Sequence, residues 1–207
     1  MSLKIELKDV SKRFKREWIL KKVTHSFVEG QSYAVSGPNG SGKSTLLRIL
    51  SGYLTPSKGN VRFFQHNKSV DLTEVYQYLS YAAPYIDLIG ELTLAEMIDF
   101  HQQFKSFQDE LSTEQIILLL NMKSSRNKPV KNFSSGMKQR LKLALNICTD
   151  TPILLLDEPT SNLDQQGVNW YLSLIERFKQ DRLVIIASNV PADFQFCKHQ
   201  INIMDFK

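Results

Sequence analysis

Cysteine is scarce: the 207-residue chain has two, Cys148 and Cys197, with no close-spaced pair. That excludes a disulfide scaffold and a cysteine-rich zinc site, and it fits a reducing compartment. Long apolar runs are missing too. A membrane-spanning helix needs about 20 consecutive apolar residues. The strongest runs here, residues 116–120 and 153–156, are far shorter, so the chain is not expected to cross a membrane by itself. The first ten residues mix Lys4, Glu6, Lys8 and Asp9 among apolar neighbours and so lack the apolar core of a secretory signal. The expectation is a cytoplasmic protein. Neither charge sign dominates: Lys plus Arg is 26 and Asp plus Glu is 21, a formal +5. Such an excess fits ordinary solubility, with an anionic ligand, an anionic membrane surface or nucleic acid as the functional alternatives. The cations do gather in two places, at Lys12, Arg13, Lys15 and Arg16 and again at Lys123, Arg126, Lys128 and Lys131. No internal repeat or low-complexity segment is present. What remains is an ordinary globular composition, 42% hydrophobic and 23% charged, long enough for one domain or one domain with a small satellite.

Leu3, Ile5 and Leu7 alternate with Lys4, Glu6 and Lys8, which predicts a strand with one polar face. Val23, His25 and Phe27 repeat the pattern, a turn follows at Glu29-Gly30, and residues 33–35 enter another strand. Leu46, Leu47, Ile49 and Leu50 have helical spacing. Residues 55–60 (Thr-Pro-Ser-Lys-Gly-Asn) read as a turn, and 61–64 and 79–82 as short strands. From Thr93 the character changes. Thr93 with Glu96, and Ser112 with Gln115, have capping-box spacing, each before an apolar run. Residues 93–149 therefore read as a mainly helical lobe, with a loop at 124–132. Beyond it come a strand at 153–156, a helix from Asp164 to about Lys179, a strand at 183–187 and a last strand near Ile201. Strand–helix–strand alternation implies an α/β fold with a parallel sheet, here built from residues 1–92 and 150–207.

Gly37, Pro38, Asn39, Gly40, Ser41, Gly42, Lys43 and Ser44 match G-x-x-x-x-G-K-[ST] at every position, between a predicted strand and a predicted helix. The chemistry needs these types. Glycines let the backbone curl so that its N–H groups face phosphate oxygens, and the helix N-terminus adds partial positive charge. Lys43 can reach the β- and γ-phosphates, and the Ser44 hydroxyl can ligate Mg2+; Thr45 completes the loop. Further on, the apolar run 153–156 ends in Asp157 and Glu158. In an open parallel sheet, ligands bind beyond the strands' C-terminal ends. Asp157 is placed there to hold Mg2+ or its water, and Glu158 to polarise a water aimed at the γ-phosphate. The two motifs together predict a P-loop nucleotidase that uses Mg2+.

Between them lie Phe133, Ser134, Ser135, Gly136, Met137, Lys138, Gln139 and Arg140. This stretch resembles the signature sequence of ATP-binding cassette (ABC) ATPases, usually L-S-G-G-Q, with Phe133 for Leu, Ser135 for the first Gly and Met137 for Gln. Ser134 is a good N-cap, and the helix it opens offers a second anion site. Residues 161–164 (Ser-Asn-Leu-Asp) look like the family's D-loop. Residues 8–14 look like its opening segment, with Phe14 at the aromatic position that stacks on adenine. The resemblance covers about residues 3–205. It implies ATP as the nucleotide and a P-loop NTPase fold with a RecA-like α/β core, an antiparallel β subdomain and a helical lobe. It also implies a head-to-tail dimer, either a homodimer or a heterodimer with a related cassette, in which Ser134 and Gly136 of one protomer cover the ATP of the other. In length the chain is similar to small ATP-binding subunits of bacterial exporters, and no regulatory C-terminal domain is expected.

Two positions depart from the family pattern. Pro84 stands where the Q-loop glutamine is normally found, and Asn189 where the switch histidine is normally found. The resemblance leads to an ATPase subunit of an ABC transporter, peripheral to the inner face of the cell membrane and coupled to a multi-spanning membrane subunit, with no nucleic-acid partner expected. A soluble cassette unconnected with transport, and a degenerate cassette that binds ATP but hydrolyses little, are the competing readings.

Overall fold

Two sheets carry the strands of this computed structural model, which describes residues 3–207. β1 (Lys4–Phe14), β2 (Glu17–Val28), β4 (Lys58–Gln65) and β5 (Lys68–Val70) form an antiparallel sheet in the order β2-β1-β4-β5. The alternation read from the N-terminus is realised: Ile5 and Leu7 are buried while Glu6 and Lys8 are not. The second sheet has five strands in the order β6-β7-β8-β3-β9: β3 (Ser32–Ser36), β6 (Leu79–Ala82), β7 (Ile153–Asp157), β8 (Leu183–Ala187) and β9 (His199–Asn202). β8 runs parallel to both β7 and β3, and β9 runs parallel to β3. Every residue of β7 and β8 is buried, as expected of parallel strands covered on both faces.

The residues expected to form a turn at 55–60 instead divide between an irregular stretch at 55–57 and β4, which starts at Lys58. Lys58 pairs with Ser11 and Asn60 with Lys8 across a register shift in β1. Gly59 has φ +78°, and a Cβ there would lie 2.3 Å from the Asp9 carbonyl oxygen. The glycine thus marks a β-bulge with close backbone approach rather than a chain reversal.

The chain divides into two compact units. The first comprises residues up to Tyr81 with Thr151–Glu158 and Asp181–Lys207; the second comprises Ala82–Asp150 and Pro159–Gln180. α1 (Lys43–Leu50) belongs to the first, where Leu46, Leu47, Ile49 and Leu50 join a core with Ile5, Phe27, Val35, Leu155 and Ile185. The second holds α2 (Leu94–Gln102), α3 (Thr113–Leu120), α4 (Ser135–Ile147) and α5 (Gln165–Phe178). Both capping boxes form: Thr93 and Ser112 accept from the N3 amides, and Glu96 and Gln115 accept in return from the cap amides. α5 turns Tyr171, Leu174, Ile175 and Phe178 inward, and Trp170 donates through its indole N–H to the Leu119 carbonyl at 2.7 Å. Among the described residues no helix is long and apolar enough to cross a membrane.

Candidate nucleotide site

In the parallel sheet β8 lies between β7 and β3, so the C-terminal ends of all three strands meet along one edge. The segments leaving those ends are residues 37–45, 157–158 and 188–190. The topology therefore gathers three stretches that are distant in sequence.

The loop after β3 curls through Gly37, Gly40 and Gly42, with φ of +148°, +75° and +106°. A Cβ on Gly37 would lie 2.6 Å from Ile203 Cγ2, and one on Gly42 2.8 Å from Ile19 Cγ2, so both glycines are required by space as well as by backbone angle. Gly42 is the N-cap of α1. It offers no side-chain acceptor, and no acid sits in the first turn, which leaves the helix N-terminus open to an external anion. The Ser41 hydroxyl is buried without a hydrogen-bond partner. Lys43 is only 5% exposed, and its Nζ donates to the carbonyls of Gly37 (2.9 Å) and Pro38 (3.2 Å). That ammonium also lies 3.4 Å from Glu158 Oε1.

Asp157 ends β7 fully buried, and neither carboxylate oxygen has a well-formed hydrogen bond. Burial pushes its carboxyl above the usual range; the Ser44 hydroxyl pulls it back, Glu158 adds to the rise, and Lys43 and Arg48 oppose it. A buried orphan carboxylate beside a hydroxyl is the oxygen donor set a hard divalent cation takes, so Asp157 and Ser44 fit Mg2+. Glu158 follows with φ +47°, a left-handed conformation rare outside glycine, and its N–H donates to the Ala187 carbonyl at 2.8 Å. Its half-buried carboxylate is held at both oxygens, by Lys43 on Oε1 and by the Ser188 hydroxyl on Oε2 at 3.3 Å. Asn189 donates from Nδ2 to Asn39 Oδ1 at 3.2 Å, which brings the segment after β8 onto the loop after β3.

Phe14 ends β1 beside the hairpin turn, paired with Glu17; it is 44% exposed, and Lys12 Nζ lies 5.1 Å from its ring centroid. Ser134 and Gly136 belong to the second unit. The Ser134 hydroxyl accepts from the Met137 amide at 3.2 Å and caps α4, whose first turn also lacks acids. A Cβ on Gly136 would lie 3.1 Å from the Asn162 carbonyl oxygen, tight enough to favour glycine. Phe133 is buried, filling the apolar position that leucine takes in the usual signature. Pro84 carries no side-chain amide, and its carbonyl, with that of Ala83, accepts from the buried Lys142 ammonium at 3.1 and 3.0 Å. Among the buried charged groups that sequence reasoning passed over are Lys142 and Asp193. A lysine within an apolar stripe, and an acid two residues after Pro191 between Ala192 and Phe194, carry no spacing signal.

A strand–glycine loop–helix unit with an acid-tipped strand in the same parallel sheet defines a P-loop NTPase. The family model for the ABC transporter ATP-binding domain, described as "ABC transporter", matches residues 20–161, and the chain belongs to that family. It is 31% identical over 191 residues to the lantibiotic transport ATP-binding protein SrtF of Streptococcus pyogenes, covering 89% of this chain and 79% of that one. It is 25% identical over 206 residues to the uncharacterized ABC transporter ATP-binding protein YcbN of Bacillus subtilis, covering 99% and 67%. Among solved structures, the dimeric form of a bacterial ABC transporter cassette superposes with a TM-score of 0.79 at 26% identity, over 96% of this chain and 93% of that one. A cassette in a post-hydrolysis state with ADP and Pi shares the fold, with a TM-score of 0.82 at 24% identity over 96% and 93%.

Proposed function

We propose that the chain is the ATP-binding, ATP-hydrolysing subunit of an ABC transporter, acting through a separate multi-spanning membrane subunit at the inner face of the cell membrane. The observation that carries the chemistry is the pairing of an open, acid-free helix N-terminus at Gly42 with the orphaned carboxylate of Asp157. Residues 37–45 cradle the phosphates through backbone N–H groups, and Lys43 turns its ammonium from the Gly37 and Pro38 carbonyls towards the γ-phosphate. Ser44 and Asp157 would hold Mg2+, which would supply charge neutralisation to the phosphates when bound. Glu158 accepts a proton from the attacking water. Asn189 donates its amide to a γ-phosphate oxygen, and Phe14 offers its exposed ring to adenine. Ser134 and Gly136, at the start of α4, cover the nucleotide of a second cassette. The transport role is supported by the family and by what SrtF is named for.

One observation favours slow turnover by the isolated chain. Pro84 has no amide with which to orient water, and its carbonyl is already engaged by Lys142. Asn189 is neutral where a histidine could become a cation. A lost donor at a developing charge costs a factor of about 10²–10³ in rate. Steady-state ATP turnover of the wild type against the double variant Asn189→His with Pro84→Gln tests this. Acceleration in the variant supports the slow-cassette reading; a fast wild type that the changes do not accelerate contradicts it.

A further inference from the structure

Glu158 is held by a device that neither the phosphate loop nor the acid pair requires. The Ser188 hydroxyl accepts from the Val190 N–H at 3.0 Å, which fixes it from the backbone side. It lies 2.5 Å from Asp193 Oδ2 and 3.3 Å from Glu158 Oε2. Asp193 is fully buried, and so is Ser188. The backbone around the bridge is anchored as well: the Ser188 N–H donates to the Val35 carbonyl at 3.2 Å, and the Asp193 N–H to the Val190 carbonyl at 3.0 Å. A serine hydroxyl has one proton and two lone pairs. With a lone pair committed to Val190, the single proton must choose between two carboxylates, and the closer one is Asp193. Both carboxylates lie within reach of that hydroxyl, so Ser188 bridges Asp193 and Glu158. Burying an acid costs free energy unless its oxygens are satisfied, here by the donating Ser188 hydroxyl, so the arrangement is not one that core packing alone would favour.

We propose that Ser188 and Asp193 are positioning residues for ATP hydrolysis: Asp193 sets the Ser188 hydroxyl, and that hydroxyl holds the Glu158 carboxylate against the side of Lys43 until the water is in place. The proposal deepens the reading of Glu158 as the proton acceptor and rests on it. Backbone strain at Glu158 makes an external hold useful, because a residue with φ +47° at a strand end has few neighbours of its own element to fix its rotamer. The segment that supplies Ser188 also supplies Asn189, so one short stretch after β8 reaches both the catalytic carboxylate and, through Asn39, the phosphate loop.

The test compares Ser188→Ala and Ser188→Thr with wild type in Mg-ATP hydrolysis, together with crystal structures of both variants. Ser188→Ala is expected to lower kcat about 10- to 100-fold, the effect of a misplaced reacting group, with KM for ATP within about twofold. Ser188→Thr keeps the hydroxyl and is expected to restore most of kcat. In the Ser188→Ala crystal the Glu158 carboxylate is expected to leave its position beside Lys43, and in the Ser188→Thr crystal to keep it. Unchanged kcat in Ser188→Ala, or a fall in kcat that Thr does not rescue with Glu158 in its original place, overturns the proposal. A wild type that does not hydrolyse ATP at all overturns the functional reading instead; the position of Glu158 in the two crystals then still decides the role of Ser188.

Discussion

On the proposed function, nucleotide affinity turns on Lys43. Its ammonium is buried and satisfied by two loop carbonyls and Glu158, so it is already desolvated before any phosphate arrives. An incoming phosphate therefore gains a charge partner whose dehydration has been met during folding. Removing one partner of a buried charge pair costs roughly 2–5 kcal/mol. Lys43→Ala is expected to weaken Mg-ATP binding by that amount in a calorimetric titration; unchanged affinity would place the phosphates elsewhere. At this scale the sequence was highly legible where chemistry fixes spacing. The eight-residue loop and the Asp157-Glu158 pair can be read directly, because phosphate cradling and metal binding each demand particular atoms at particular separations. Ser188 and Asp193 were not legible as a pair with Glu158. They meet it only because β8 lies beside β7, and nothing local records that neighbour relation.

At the scale of elements, caps decide where helices begin. Thr93 and Glu96 satisfy each other's backbone donors at the start of α2, with Thr93 N to Glu96 Oε2 at 2.8 Å and Glu96 N to Thr93 Oγ1 at 3.3 Å. Losing such a cap costs about 1 kcal/mol. Thr93→Ala is expected to lower Tm by about 2–4 °C in a thermal melt, with ATP affinity unchanged. A Tm shift of zero would mean that the exposed box adds nothing to α2. Helix starts were readable from the sequence because capping chemistry is local. The start of β4 was not: Gly59 carries the same turn signal whether the chain reverses or bulges, and only the approach of Asp9 in β1 decides which.

At the scale of the molecule, the second anion-ready helix end lies at Ser134 and Gly136, in the unit that does not carry the phosphate loop. In the proposed function this end covers the nucleotide of a second copy. On the proposed function, Glu158→Gln keeps the side-chain shape while removing the proton acceptor, so bound ATP is expected to persist. Light scattering of that variant with saturating Mg-ATP is expected to show twice the 23.8 kDa of the single chain. Monomer alone would contradict a homodimer and favour pairing with a related cassette.

The central claim is that this chain hydrolyses ATP at the strand edge where Lys43, Asp157 and Glu158 meet. The most direct measurement is steady-state phosphate release from Mg-ATP by the wild type and by Glu158→Gln, each also assayed with EDTA. The account predicts measurable, EDTA-sensitive release by the wild type and a fall of about 10²-fold or more in the variant. Release by Glu158→Gln at the wild-type rate, or release indifferent to EDTA, would contradict it.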